Sequence, residues 1–196
     1  MLNRSAYIRI AILVVAYLSF TTGVASAGVL GNPGFELDFG PREDLNMWGD
    51  YGETFGETYQ VPIGKDNRPG KTREGKRVLI INVPQNTWNG IWQQVPWAEK
   101  NSYNLKGFYQ IRGSDLPLNC HTSLKVEFYD GRDNKIGEKA GSLRTESTRG
   151  RWIADALRGV TPEGTESIKC VIIAGHCPDG PPVVDQIFWD DVDLLE

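Results

Sequence analysis

Short runs of alternating or wholly apolar residues recur along the chain, separated by clusters of Gly, Pro, Asn and Asp, and a helical period is nearly absent. Runs of this length with a period of two are typical of β-strands. Strands are predicted near residues 34–36 and at 77–83, 89–95, 102–112, 122–130, 151–160, 166–175 and 186–195. Eight or nine strands in about 150 residues predict an all-β fold, a sandwich or jelly roll of two antiparallel sheets.

The first 27 residues have the composition of a secretory signal peptide. Arg4 and Arg9 supply positive charge, the apolar run IAILVVAYL follows, and small residues at 25–27 form a cleavage site. The apolar run is shorter than the roughly 20 residues that cross a bilayer, so a retained anchor is the weaker interpretation. The sequence therefore predicts a signal at 1–27 and one domain at 28–196, secreted to an extracellular or periplasmic space.

Charge and cysteine content narrow the possible partners. Removal of the two signal arginines leaves 19 basic residues (21 − 2) against 25 acidic ones, a net charge of −6. This acidity argues against nucleic acid, which binds basic surfaces, and signal cleavage would leave no membrane segment. Three cysteines allow at most one intramolecular disulfide, which an exported protein can form.

Half of the six tryptophans lie in the segment NTWNGIWQQVPW, residues 86–97. Core packing explains one or two of them, and we expect Trp92 or Trp97 to be mainly structural. Trp88 precedes the strand in a turn, where a core role is hardest to arrange, so a third indole indicates a surface that meets a ligand. Trp152 and Trp189 lie in apolar strands and are predicted core residues.

The strand at 102–112 has two different faces. Tyr103 and its i+2 neighbours form a face that can enter the core. The opposite face places Phe108 beside Gln110 and Arg112. This face is either an ordinary solvated sheet surface or one wall of a polar, aromatic groove. Trp48 and Tyr51 offer a second exposed aromatic pair in the long, poorly patterned stretch at 38–76.

Four short motifs occur in a fixed order along the predicted domain: NPGFE at 32–36, GIWQQV at 90–95, SYNL at 102–105 and FWDDVDL at 188–194. In this order and spacing they resemble the carbohydrate-binding modules of families 4, 9 and 22, which share a galactose-binding-like jelly roll. The resemblance covers essentially the whole domain. Because one sandwich fold hosts many functions, it is more specific for the fold than for the ligand.

The resemblance implies non-catalytic polysaccharide binding, in a concave sheet face or at loop tips, by a module of a type usually attached to a glycoside hydrolase. A flat indole matches the apolar face of a pyranose, while amides and charged groups exchange hydrogen bonds with its hydroxyls. The candidate sugar-binding residues are Trp88, Trp92, Gln94, Phe108, Gln110, Arg112, Trp48 and Tyr51. The alternatives are an extracellular structural or adhesion domain with an unknown protein partner, and an unrecognised glycoside hydrolase.

The same resemblance implies a structural calcium ion that joins the opening strand to the final one. Glu36 and either Asp190 or Asp191 would supply carboxylates, with backbone oxygens near Gly34 and Lys76. Calcium takes six to eight oxygen ligands and accepts carbonyls readily. The alternative is that these acids lie at sheet edges in water.

The sequence also bears on catalysis and on the pairing of the cysteines. No paired-carboxylate pattern of a β-sandwich glycosidase is present, and neither histidine lies in a recognisable nucleophile or zinc constellation. If the strands alternate in direction, Cys120 and Cys170 lie toward the same end of the sandwich, which predicts a Cys120–Cys170 bridge. A long crossover could instead bring Cys177 to Cys120.

Overall fold

The structure, a computed structural model, describes residues 29–31, 33–35, 48–50, 58–60, 78–83, 87–175 and 182–196. In these ranges the chain forms ten β-strands and contains no helix that could span a bilayer. The strands are β1 (Gly49–Asp50), β2 (Thr58–Gln60), β3 (Leu79–Val83), β4 (Trp88–Pro96), β5 (Ser102–Ile111), β6 (His121–Tyr129), β7 (Lys135–Ala140), β8 (Ile153–Val160), β9 (Ser167–Gly175) and β10 (Val183–Leu195).

The strands form two five-stranded sheets in which every pair is antiparallel. The first sheet has the order β1-β4-β9-β6-β7, and the second has the order β2-β3-β10-β5-β8. Consecutive strands therefore often belong to different sheets, as in a jelly roll. The predicted all-β sandwich of two antiparallel sheets is confirmed.

The core lies between the two sheets and follows from side-chain alternation along the strands. On β5, Tyr103, Leu105 and Ile111 are buried and face inward. At the centre of the core Trp189 is fully buried, and its indole Nε1 donates a 2.8 Å hydrogen bond to Thr122 Oγ1 on β6. This bond joins the two sheets, because β10 and β6 belong to different ones. The prediction that Trp189 is a core residue is confirmed.

The opening segment is fastened to the sandwich by hydrogen bonds. Gly31 N donates to Gln93 Oε1 at 2.7 Å, and Gln93 Nε2 donates back to Gly31 O at 3.3 Å. Val192 N of the last strand donates to Pro33 O at 2.9 Å. The beginning and the end of the domain are therefore neighbours. Residues 33–35 form a turn rather than the predicted opening strand.

Most predicted strands are present, and the main omission is β7. The sequence KIGEKA of β7 lacks an apolar alternation, and five of its six residues are exposed, because β7 is an edge strand with one neighbour. An edge strand that buries little gives no hydrophobic period from which it could be predicted.

The predicted Cys120–Cys170 disulfide is wrong. Cys120 is disulfide-bonded, whereas Cys170 is a buried free thiol. In the antiparallel pair of β6 and β9, Val126 lies opposite Cys170. Cys120 and Cys170 are thus about six residues, or roughly 20 Å, apart along the strands, while bridged Cα atoms lie within about 7 Å. Cys177, the alternative partner for Cys120, lies outside the described residues.

The error arises from the missing strand. With β7 left out, β6 and β9 are separated by one strand and would run in the same direction. With β7 present, the chain reverses once more, so β6 and β9 run in opposite directions and pair directly.

Candidate functional site

The outer face of the first sheet brings together aromatic, amide and charged side chains. Alternation along β4 buries Ile91 and Val95 and turns Trp88, Trp92 and Gln94 outward. Cα partners on neighbouring strands share a face, so the register with β9 and β6 identifies their outward neighbours. We call this surface the site face, and its side chains are Trp88, Trp92, Gln94, His121, Lys125, Glu127, Tyr129 and Lys169.

Lys169 lies between two aromatic rings of the site face. Its ammonium nitrogen is 4.3 Å from the centroid of the Trp92 ring and 4.7 Å from that of Tyr129. Both distances are within the range of cation–π attraction. On β1, a Cβ atom added at Gly49 would lie 2.6 Å from the Trp92 indole, so glycine is needed there for the indole to cover β1. The position of the Trp92 ring is thus fixed by packing.

Glu127 is the centre of a charged network beside Lys169. Its Oε1 is 2.8 Å from Lys125 Nζ and 3.0 Å from Lys135 Nζ, and its Oε2 accepts a 2.8 Å hydrogen bond from the Tyr129 hydroxyl. Burial opposes ionisation of Glu127, but the hydrogen bonds from Lys125, Lys135 and Tyr129 outweigh it and lower its pKa to about 2. Glu138 accepts from the same two lysines, 2.9 Å from Lys125. Both carboxylates are therefore held in the charged form.

The other end of the site face carries a second aromatic contact. The Trp88 and His121 rings meet edge to face, with centroids 5.0 Å apart and an interplanar angle of 72°. Gly175 lies between them on β9, paired with both residues, and its lack of a side chain lets the two rings approach each other. The site face thus has aromatic groups at both ends of its central strands.

The predicted sugar-binding residues do not form one surface. β5 belongs to the second sheet, so Phe108, Gln110 and Arg112 lie on the opposite outer face of the sandwich from Trp92. Gln110 is fully buried, and its Nε2 donates to Gly150 O. The candidates on β4 and those on or after β5 therefore cannot line one groove, because the chain changes sheet between these strands.

Arg112 is held within the second sheet's outer face. Its Cζ atom is 3.9 Å from the centroid of the Phe188 ring, and its Nε donates to Gln110 Oε1. Burial lowers the pKa of its guanidinium. Phe188 belongs to a small apolar cluster with Val78 and Ile80, against which the half-buried Trp152 packs. Trp152 is therefore outside the main core in which it was predicted to lie.

The prediction that Trp48 and Tyr51 form a second exposed aromatic pair is wrong for Trp48. Trp48 is only 5% exposed and packs against Phe35, with ring centroids 5.6 Å apart. It is a core residue and offers no exposed ring. Tyr51 lies outside the described residues. Of the clustered indoles, Trp97 is buried in the core, whereas Trp88 and Trp92 are partly exposed.

The predicted calcium ligands are only partly described. Asp190 is fully buried and precedes Asp191, whose φ of 48° marks the irregularity in β10. Gly34 lies in the turn next to this strand, and Glu36 and Lys76 lie outside the described residues. In the part of the chain that is described, no three acidic, histidine or cysteine side chains are grouped to hold a metal ion.

Sequence reasoning missed five members of the site face, including His121 at the start of β6. Lys125, Glu127 and Tyr129 alternate with the buried residues of β6, and that alternation could have identified them as one outward row. Lys169 interrupts the apolar strand β9 between Ile168 and Cys170. A lone lysine in such a strand indicates an outward position. The aromatic neighbours of Lys169 lie on β4 and β6, so the sequence around Lys169 does not predict those contacts.

Comparison with known proteins gives structural matches. No family model and no curated protein sequence matches the chain. The solved structure of TmCBM61 in complex with beta-1,4-galactotriose is similar, with a TM-score of 0.59 and 20% identity, over 87% of this chain and 99% of that one. The CBM22-1 xylan-binding domain of Xyn10C from Paenibacillus barcinonensis is also similar, with a TM-score of 0.50 and 12% identity, over 82% and 89% of the two chains.

The chain has the jelly-roll fold of carbohydrate-binding modules. The same fold also occurs inside larger proteins. The enzymatically active domain of bacteriophage CBA120 tailspike protein 4 matches with a TM-score of 0.60 and 12% identity, over 85% of this chain. This chain spans only 21% of that one. In this carbohydrate-binding-module fold, the site face is built on three paired central strands rather than on loops.

Proposed function

We propose that the mature chain is a secreted protein that binds a polysaccharide without catalysis, through the site face. The observation that carries the proposal is the pair of rings, Trp92 and Tyr129, that flank Lys169 on a sheet face of this fold. Aromatic rings match the apolar face of a pyranose, and fixed amide and charged groups can exchange hydrogen bonds with its hydroxyls. The disulfide at Cys120 supports export to an oxidising compartment.

The charged network supports a non-catalytic role. A glycosidase needs one carboxyl group that stays protonated near the working pH and donates its proton to the leaving oxygen. Glu127 has a pKa of about 2, and both of its oxygens accept hydrogen bonds. The pKa of Glu138 is lowered by hydrogen bonds from Lys135 and Lys125. These two carboxylates suit fixed polar contacts better than proton transfer.

Trp92→Ala is expected to weaken polysaccharide binding by about tenfold, since one aromatic contact is worth roughly 1 kcal/mol or more. Affinity electrophoresis in gels containing β-1,4-galactan or xylan measures the effect. These two polymers are the first choices because the matched structures carry galactotriose or are described as xylan-binding.

Phe108→Ala is the matched control. Phe108 is a partly exposed aromatic residue on the opposite outer face, so its removal should leave retardation unchanged. Circular dichroism confirms that both variants are folded. If Phe108→Ala removes binding while Trp92→Ala retains it, the site face is the wrong surface. If no polymer in a broad panel retards the unmutated protein, a structural or adhesion role replaces sugar binding.

We also propose that calcium joins the two ends of the domain. The hydrogen bond from Val192 N to Pro33 O places the opening segment beside the last strand, and the Asp190 carboxylate is withdrawn from water there. Ionised groups that are buried are stabilised by cations. Gly34, Glu36, Lys76, Asp190 and Asp191 are the residues that would hold the ion.

EDTA is expected to lower the melting temperature. An ion that binds only the folded state adds about 2.7 kcal/mol to the free energy of unfolding when its free concentration is 100 times its dissociation constant. Added calcium in excess should restore it. Glu36→Gln should make the melting temperature insensitive to EDTA. Unchanged melting in EDTA, together with metal analysis that finds no bound calcium, would exclude the ion.

A further inference from the structure

Three lysines and two glutamates lie together on the first sheet's outer surface. Lys125 Nζ is 2.8 Å from Glu127 Oε1 and 2.9 Å from Glu138 Oε2. Lys135 contacts the same two oxygens, at 3.0 Å from Glu127. Two lysines thus compensate two carboxylates, and both carboxylates are held ionised. The third lysine, Lys169, takes part in none of these ion pairs.

Lys169 has no carboxylate within ion-pair distance in the part of the chain that is described. Its neighbour on β4, Gln94, is uncharged, and its neighbour on β6, Glu127, is already bound by Lys125 and Lys135. Asp133 Oδ1 accepts a 3.0 Å hydrogen bond from Gln94 Nε2, the β4 neighbour of Lys169. Among the described residues, the ammonium group that lies between the Trp92 and Tyr129 rings therefore forms no ion pair with these acids.

This position favours a particular class of ligand. The Trp92 and Tyr129 rings both contact the Lys169 ammonium, and cation–π attraction does not neutralise its charge. Hydrogen bonds between a charged donor and a charged acceptor are about twice as strong as neutral ones. An anionic group carried on a sugar ring could thus contact the ammonium while the sugar ring contacts the aromatic side chains.

We propose that the site face binds an acidic polysaccharide, with a uronate carboxylate or a sulfate ester of the sugar on the Lys169 ammonium. The inference rests on the proposed polysaccharide binding through the same face. It adds a preference for negative charge on the polymer, which neutral galactan and xylan lack.

The test compares polymers that differ only in their charged group. Polygalacturonate and its carboxyl-reduced product form one pair, and a sulfated galactan and its desulfated product form the other. Isothermal titration at pH 7.5 in low salt should show at least fivefold tighter binding of the charged member in one pair, and the pair identifies the anion. The preference should fall steeply at 0.5 M salt, where the Debye length is only a few ångströms.

Lys169→Met keeps an unbranched side chain between the rings but removes the charge. It should weaken binding of the charged polymer about tenfold and abolish the preference for the charged over the neutral member of the pair. Lys169→Arg keeps the charge and can stack on both rings, so it should retain the preference. Lys106→Met is the control, because Lys106 is an exposed lysine of β5 in the second sheet and changes the net charge equally.

The outcomes separate the two proposals. If neutral and charged polymers bind equally and Trp92→Ala weakens both, polysaccharide binding stands and the preference for negative charge is overturned. An equal effect of Lys106→Met and Lys169→Met overturns it as well, since the preference would then reflect net charge. If neither member of either pair binds, nor any neutral polymer, both proposals fall.

Discussion

Replacing Trp189 with alanine is expected to lower the free energy of unfolding by about 3–5 kcal/mol, the usual range for a fully buried indole. Domains of this size have a total stability of roughly 5–15 kcal/mol, so this variant can lose most of it. Trp189→Phe is the milder change and should cost about 2 kcal/mol, since it keeps a six-membered aromatic ring but removes the indole N–H and its hydrogen bond to Thr122. Urea unfolding at pH 7 measures both values.

A double-mutant cycle isolates the bond between the sheets. Thr122 is fully buried, and its hydroxyl accepts from Trp189 Nε1 and donates to Ile173 O at 2.9 Å. Thr122→Val and Trp189→Phe should therefore be non-additive, with a coupling energy of about 1 kcal/mol. Trp152→Phe is the control, because the buried Trp152 Nε1 has no hydrogen-bond partner among the described residues and its removal should cost far less. An additive cycle would contradict a bond between the two sheets.

Stability is expected to fall in acid through Glu127. Its folded pKa of about 2 lies below the value of about 4.3 for an unfolded chain, so deprotonation favours the folded state. This contribution is complete above about pH 4.5 and is lost as the pH falls toward 2. A difference of roughly two pKa units corresponds to on the order of 3 kcal/mol.

Glu127→Gln removes that titration. The variant should be less stable than the unmutated protein at pH 7, and the difference should narrow as the pH approaches 2. Part of the decrease in stability at low pH should remain in this variant, because Glu138 binds the same lysines. Glu146 is an exposed glutamate outside the network, so the stability of Glu146→Gln should change with pH in parallel with that of the unmutated protein. Urea unfolding from pH 2.5 to 7 distinguishes the variants, and parallel curves for Glu127→Gln would exclude the network as the cause.

Much of the fold could be predicted from local patterns, because each internal strand carries its own hydrophobic period. β5 is the clearest example: its alternation predicted both its position and its buried face. β7 could not be predicted in this way, since an edge strand that buries little has no such period. Its omission reversed the predicted direction of β9 and produced the wrong disulfide.

The site depends on strand pairing rather than on local patterns. Trp92 was identified from its own segment, but its contact with Lys169 needs the pairing of β4 with β9. Phe108 was assigned to the same surface because β4 and β5 are consecutive in the sequence. The change of sheet between them is a property of the strand pairing, which the period of each strand alone does not reveal.

The position of Cys170 bears on the order of events during folding. Its thiol is fully buried on β9, and burial raises its pKa far above the ordinary value. Because the thiolate is the attacking species in disulfide exchange, the folded sandwich removes Cys170 from that chemistry. In the unfolded chain all three thiols are accessible and can compete for one disulfide. If a disulfide to Cys170 forms before β9 enters the sheet, it must be exchanged for the native one through mixed disulfides. If the central strands pair first, Cys170 is buried before an oxidant can reach it.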